Sequence, residues 1–284
     1  MRYFMRLGYR GAGFHGWQIQ PHDPSVQQTI EEALATLLRT PTPITGAGRT
    51  DAGVNARLMV AHFDTEPPIV DIQRLVHSLN AMLPAEISIY DIAPVPNDAH
   101  ARFDAVSRTY KYFVVRHKDP FRYPLSWRCP PGLDFDLMNE AAARLLDYTD
   151  FTSFSKLHTD VKTNNCRITH AKWTRKDDQW VFTITADRFL RNMVRAIVGT
   201  LVEVGRHKMT VEQFCQVIER KDRCAAGTSM PGNALFLWDI NYPTLSDYQQ
   251  PLNGPNEPHQ KGESNFFYIV RLPVRGKVLP LHPH

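Results

Sequence analysis

The chain has 284 residues, of which 43% are hydrophobic and 22% charged, with a formal net charge of +4. That composition belongs to a globular protein with room for one large core or two moderate ones, and it excludes a disordered chain. The opening MRYFMRLGYR has no apolar signal region and no apolar run reaches membrane-spanning length, so a secreted or membrane protein is not expected and a cytoplasmic one is.

Residues 2–9 read as a strand, followed by a glycine-rich turn at 11–16. Ser25 and Gln28 sit as a capping box before an apolar stripe of Val26, Ile30, Leu34, Leu37 and Leu38, and Pro41 and Pro43 close that helix. A strand is predicted at 58–64, a helix at 71–82 and a strand at 86–94. The first part is thus β-α-β-α-β, with the sequence GRTDAGV at 48–54 forming a loop before the second strong strand. Residues 108–115 form a strand, 117–133 an ordered loop and 136–146 a helix. Strands at 166–174 and 179–186 flank the turn KDDQ. A helix is predicted from about Phe189 to Val204 with Gly205 as its C-cap, another behind the Thr210–Gln213 capping box, and a last core strand at 234–241. Two such halves predict an α+β fold in which two similar sheet-plus-helix domains share an extended, mainly antiparallel sheet. The soft boundary divides 1–105 from 106–245. Residues 246–284 form an extension of unknown role, with a polar linker at 244–263 and strand character at 264–275.

Four cysteines, Cys129, Cys166, Cys215 and Cys224, are widely spaced without a CxxC pair, so they read as reduced structural thiols. The histidines, His158 among them, lack ligand spacing. No dinucleotide fingerprint, phosphate loop or serine elbow is present, which removes redox, nucleotide-hydrolysis and esterase chemistry from the leading readings.

Three stretches carry candidate chemistry. In GRTDAGV, Gly46, Gly48 and Gly53 clear space around Asp51, and Arg49 is a counter-charge two residues away; an aspartate in such a turn also has a purely local role in bonding backbone. In RTYKY, Arg108, Tyr110 and Tyr112 lie on a strand, where the tyrosines share one face as core residues or as a platform for a base. In DRFLRNMVRAIVGTLVEVG, Arg188, Arg191 and Arg195 recur as a basic stripe, and Arg195 lies close enough to the apolar side to need a carboxylate partner. Asp51 is one such partner among 29 acidic residues.

These stretches, in this order, resemble the TruA-type tRNA pseudouridine synthases: GAGFHGWQIQ at 11–20, GRTDAGV at 48–54, HARFDA at 100–105, RTYKY at 108–112, DFTSF at 150–154, FLRNMVRAIVGTLVEVG at 189–205 and LFLWDINY at 235–242. The resemblance implies a catalytic aspartate at Asp51, acting as nucleophile on C1′ or as base toward C2′. It implies active-site support from Arg49, a base-stacking tyrosine at Tyr110 that also serves C5 proton removal, and an ion pair from Arg195 to Asp51. It places RNA contacts at Gly16, Trp17, Gln18, Asn55, Arg108, Arg188 and Arg191. It further implies uridine-to-pseudouridine isomerisation in the tRNA anticodon arm at positions 38, 39 and 40, a homodimer, and no cofactor or metal. Asn55 replaces the family's usual histidine, RNMVRA its HHMVRN, and Ala234 its glycine. The alternatives are a synthase for another RNA or tRNA position, and a non-catalytic RNA-binding protein on the same fold.

Overall fold

A computed structural model of the chain describes residues 1–156 and 163–242. The expectations for His158, for 244–263 and 264–275 and for the extension at 246–284 fall outside the described residues.

The first half runs β1 (Arg2–Tyr9), α1 (Val26–Leu38), β2 (Thr45–Gly46), β3 (Asn55–Asp64), α2 (Ile72–Met82) and β4 (Ile87–Val95). The second runs β5 (Ser107–Val115), β6 (Trp127–Arg128), α3 (Phe135–Arg144), β7 (Ile168–Lys176), β8 (Gln179–Ala186), α4 (Met193–Gly205), α5 (Val211–Glu219) and β9 (Leu235–Asn241). Among the described residues all nine strands enter one sheet in the order β4-β1-β3-β9-β5-β8-β7, with β2 pairing β3 and β6 pairing β5. Along that path every pairing is antiparallel except β3 with β9, where Asn55 faces Phe236 and Ala56 faces Leu237. The two halves therefore share a mainly antiparallel sheet and meet along one short parallel seam. The 48–54 loop feeds directly into β3 at that seam.

Local sequence accounts for most helix ends. Thr210 and Gln213 close a full capping box on α5, and Asp71 caps α2 by accepting from the Arg74 amide. On α1 only half of the expected box forms. Ser25 accepts from the Gln28 amide at 3.2 Å, while the Gln28 side chain turns outward to Glu32. That helix ends at Leu38, before either proline, because Arg39 is left-handed at φ 57°.

The long basic helix differs most from expectation. It begins at Met193 rather than Phe189. Asn192 sits at φ 67°, a left-handed conformation that asparagine tolerates but a helix does not continue through, and its side chain donates to Ser229 Oγ at 2.6 Å. Arg188 and Arg191 thus precede the helix, and the three-arginine stripe does not form. What remains is nearly all buried, from Met193 through Gly205. Gly205 is the last helical residue at the buried side of α3, where a Cβ would come within 2.5 Å of Met138 Sδ, so it serves packing rather than the cap conformation.

Candidate active site

The Gly48–Val54 loop is shaped first by its own backbone. The Asp51 carbonyl accepts from the Val54 amide at 3.1 Å, and Gly53 takes φ 74°, the positive value that a type II turn requires at its third position. Neighbours then hold the loop from outside. The Trp17 amide donates to the Thr50 carbonyl at 3.2 Å, the Gly53 amide to the Phe14 carbonyl at 3.3 Å, and Thr50 Oγ1 shares a buried hydrogen bond of 2.8 Å with the Tyr9 hydroxyl. Gly16, at φ 97°, makes this approach possible, because a Cβ there would lie 2.5 Å from the Thr50 carbonyl oxygen. The Gly11–Trp17 segment is a backbone clamp on the aspartate turn.

The carboxylate itself stays partly open, with the Asp51 side chain 22% exposed. Two guanidiniums face it. Arg195 Nη1 lies 3.6 Å from Oδ2, and Arg191 Nε lies 3.8 Å from Oδ1. Arg195 is aimed by a second bond, from its Nε to the Met230 carbonyl at 2.6 Å, while the Met230 amide donates back to the Arg195 carbonyl at 3.1 Å. The 227–230 segment reaches this position by crossing α4 at Gly199, where any Cβ would collide with the Thr228 carbonyl. One planar fork thus bonds a backbone acceptor and faces the carboxylate at ion-pair distance.

Tyr110 projects from β5 and is buried, with Phe189 packed edge-on against it at 5.0 Å. Its phenol is pushed above the ordinary tyrosine range, by burial first and then by the negative charge of Asp51. Asp51 comes from the first half of the chain, and Tyr110, Arg191 and Arg195 from the second.

The sequence of the chain is similar to those of known proteins. The model of a family described as tRNA pseudouridine synthase matches residues 141–243. The protein of Parabacteroides distasonis named tRNA pseudouridine synthase A is 66% identical over 242 residues, covering 85% of this chain and 96% of the relative. A Bacteroides fragilis protein of the same name is 59% identical over 85% of this chain and 96% of its own length, and one from Bacillus subtilis is 38% identical over 85% and 99%. The chain belongs to the TruA-type tRNA pseudouridine synthase family.

Within this family member, several residues expected at the RNA surface do other work. Asn55 is 1% exposed, and its amide is spent inside the protein. Oδ1 accepts from the Gly11 amide at 2.9 Å, and Nδ2 donates to the carbonyls of Asn233 at 2.8 Å and Leu235 at 3.3 Å. It ties the Gly11 loop, β3 and the entry to β9 together at the seam, and so has no group left for RNA. Trp17, 2% exposed, packs over Gly46 and beside Tyr9, and Gly16 is buried; neither offers RNA a surface. Of that trio only Gln18 is exposed. Arg108 is partly exposed. Its guanidinium donates to four backbone carbonyls, those of Ala105, Asp187, Ala47 and Arg102, at 2.6–3.1 Å, which leaves no free fork for a phosphate. Burial pulls its pKa below the usual arginine value. Arg188 is half-buried and Arg191 exposed. Arg49 is exposed, and among the described residues the two guanidiniums within 4 Å of Asp51 belong to Arg191 and Arg195.

Sequence reasoning missed Tyr9, Thr50, Met230 and Asn233 as members of this architecture. Tyr9 had a signal, since it ends β1 directly before the glycine loop. The Met230 carbonyl had none, because a main-chain acceptor leaves no trace in residue identity. Tyr112, the other tyrosine of RTYKY, is fully buried and donates to the Pro231 carbonyl at 3.1 Å, which places the chain just beyond Met230. Among the described residues no group of three or more His, Cys, Asp or Glu is arranged to hold a metal ion, and no helix is long and apolar enough to cross a membrane.

Proposed function

We propose that this protein converts uridine to pseudouridine in the anticodon arm of tRNA, at positions 38, 39 and 40, with Asp51 as the reacting carboxylate. The observation that carries the reading is the 3.6 Å approach of Arg195 to a partly open Asp51, in a chain of this family. The reaction breaks N1–C1′, turns the uracil and joins C5 to C1′; the C5 proton is lost and N1 gains one. Atoms balance within the nucleotide, so the chemistry calls for no co-substrate or redox partner. Asp51 either attacks C1′ to form an ester or takes the C2′ proton, and in both cases its lone pair must point at the sugar. Arg195, itself held by Met230, supplies that aim.

Tyr110 in the resting pocket is a neutral phenol. It offers a ring for stacking and a hydroxyl for donation to the extruded uracil. Its use as a C5 base belongs to the later stage, because an ester at Asp51 removes one of the two influences that hold its proton on. Arg191 is assigned to the substrate as well as to Asp51, Gln18 and Arg188 to neighbouring nucleotides, and Arg49 to support of the occupied pocket. In this reading residues 1–105 present the aspartate and 106–245 complete the RNA cleft, with no role assigned to 246–284. A homodimer and a cytoplasmic location are part of the same proposal, supported by the family resemblance; the mass in solution tests the first.

The experiment is release of tritium from tRNA labelled at uracil C5, followed by carbodiimide mapping of the product. Release together with marks at positions 38, 39 or 40 is the expected result. Marks confined to other sites would redirect the substrate assignment, and absence of release from any anticodon arm would overturn it.

A further inference from the structure

The HARFDA stretch is part of the family pattern, yet the site described above leaves its exposed aromatic residue unused. Phe103 is 74% exposed. A lone exposed phenylalanine is ordinary on a loop that moves. This loop is pinned almost residue by residue. Arg2 Nη1 donates to the Ala99 carbonyl at 3.0 Å, the Ala101 amide to His62 Nδ1 at 3.2 Å, and the Tyr242 hydroxyl to the Ala101 carbonyl. His100 Nδ1 receives the amides of Arg102 and Phe103 at 3.1 and 3.3 Å, and the His100 amide donates to Asp104 Oδ2 at 2.7 Å. One face of the Phe103 ring rests on the His100 ring, with centroids 4.2 Å apart, and the Arg102 guanidinium stands 5.8 Å from its centroid.

The loop is also fixed beside the active site. The same Arg108 Nη2 donates to the Arg102 carbonyl at 2.6 Å and to the Ala47 carbonyl at 3.1 Å, and Nη1 donates to the Asp187 carbonyl at 2.9 Å. One guanidinium therefore joins the Phe103 loop to the start of the aspartate turn and to the start of the Arg188–Arg195 segment. A rigid mount, an exposed aromatic ring, an adjacent cation and continuity with the pocket describe a stacking platform for nucleic acid.

We infer that Phe103 stacks on the nucleobase adjacent to the target uridine, with Arg102 facing the phosphate of that nucleotide. Extruding a uridine strips a stacking partner from its neighbour. The exposed Phe103 ring replaces that partner and lowers the cost of the extruded state. The inference rests on the reading of Asp51 as the reacting centre.

The test uses full-length protein carrying Asp51→Ala and an anticodon stem-loop with 2-aminopurine next to the target uridine. Binding quenches the probe when Phe103 is present. Phe103→Ala abolishes the quench and weakens binding about fivefold to a hundredfold, as expected for loss of one stacked base. Phe103→Trp keeps both, and Phe103→Leu, apolar without a ring, behaves as alanine does. Melting temperatures stay unchanged across the series. Unchanged quenching and affinity in Phe103→Ala overturn the inference, as does a leucine variant equal to the parent, or a loss that tracks a falling melting temperature. Full turnover by Asp51→Ala alone would overturn the catalytic reading, and the quench then reports stacking on its own.

Discussion

Two arginines from the second half of the chain, Arg108 and Arg195, both reach the first-half loop that carries Asp51, and they spend their charge differently. Arg108 closes onto four carbonyl oxygens and becomes a staple for the rim of the site. Arg195 gives one bond to the Met230 carbonyl and turns the rest of its fork to a carboxylate that solvent still reaches. The residue type is the same, so the partner decides the role. Main-chain acceptors make an arginine architectural, and a half-open carboxylate makes it part of the chemistry.

Substitutions that treat the two alike sharpen this contrast. Arg195→Met frees the carboxylate to rotate, and the single-turnover rate should fall about a hundredfold or more, as a misplaced reacting group costs. Arg195→Lys should recover little, because a single ammonium cannot hold both acceptors in one plane. Comparable losses in Arg108→Met with unchanged stability would erase the distinction. Arg108→Met should instead act on the fold. Four carbonyls lose their donor, and chemical denaturation should report a loss on the order of 3 kcal/mol. The salt dependence of tRNA binding should stay as in the parent, since no phosphate contact is removed.

Asn55→Ala should cost about 2 kcal/mol by the same measurement, for three internal hydrogen bonds at the seam, and should leave the salt dependence untouched as well. A loss of tRNA affinity with unchanged stability would return Asn55 to the RNA surface. The last effect is confined to acid pH. Burial, with His100 and Arg2 adding to it against Asp64 and Asp104, pushes the His62 pKa down from 6.5 to about 4. The folded protein keeps this ring neutral while the unfolded chain protonates it. Stability is therefore full above about pH 6.5 and declines as the pH falls from there toward 4. His62→Asn should flatten the melting temperature across that window relative to the parent.

Much of the fold was legible because it is written in local patterns. The β-rich stretches at 2–9 and 108–115 and the Thr210–Gln213 box need no distant partner to be read. The start of α4 was not legible, because the apolar period runs through Phe189 and Leu190, and only the left-handed turn at Asn192, bonded to the distant Ser229, stops it. In the site, the order of motifs brought Asp51, Tyr110 and Arg195 forward as candidates. The same method assigned Asn55, Trp17 and Arg108 to RNA, since polar, aromatic and basic residues beside a reactive turn look alike whether they face outward or inward. For Asn55, burial at the seam between β3 and β9 depends on residues about 180 positions apart. A main-chain acceptor such as the Met230 carbonyl is invisible to residue identity altogether.

The central claim is that Asp51, oriented by Arg195, performs the bond exchange rather than shaping a turn. The most direct measurement is single-turnover tritium release from C5-labelled tRNA by Asp51→Asn, a variant of nearly equal size, alongside its tRNA affinity and melting temperature. The account predicts that release is abolished while affinity and melting temperature stay close to the parent values. Release at the parent rate would contradict it and return Asp51 to the role of a turn residue.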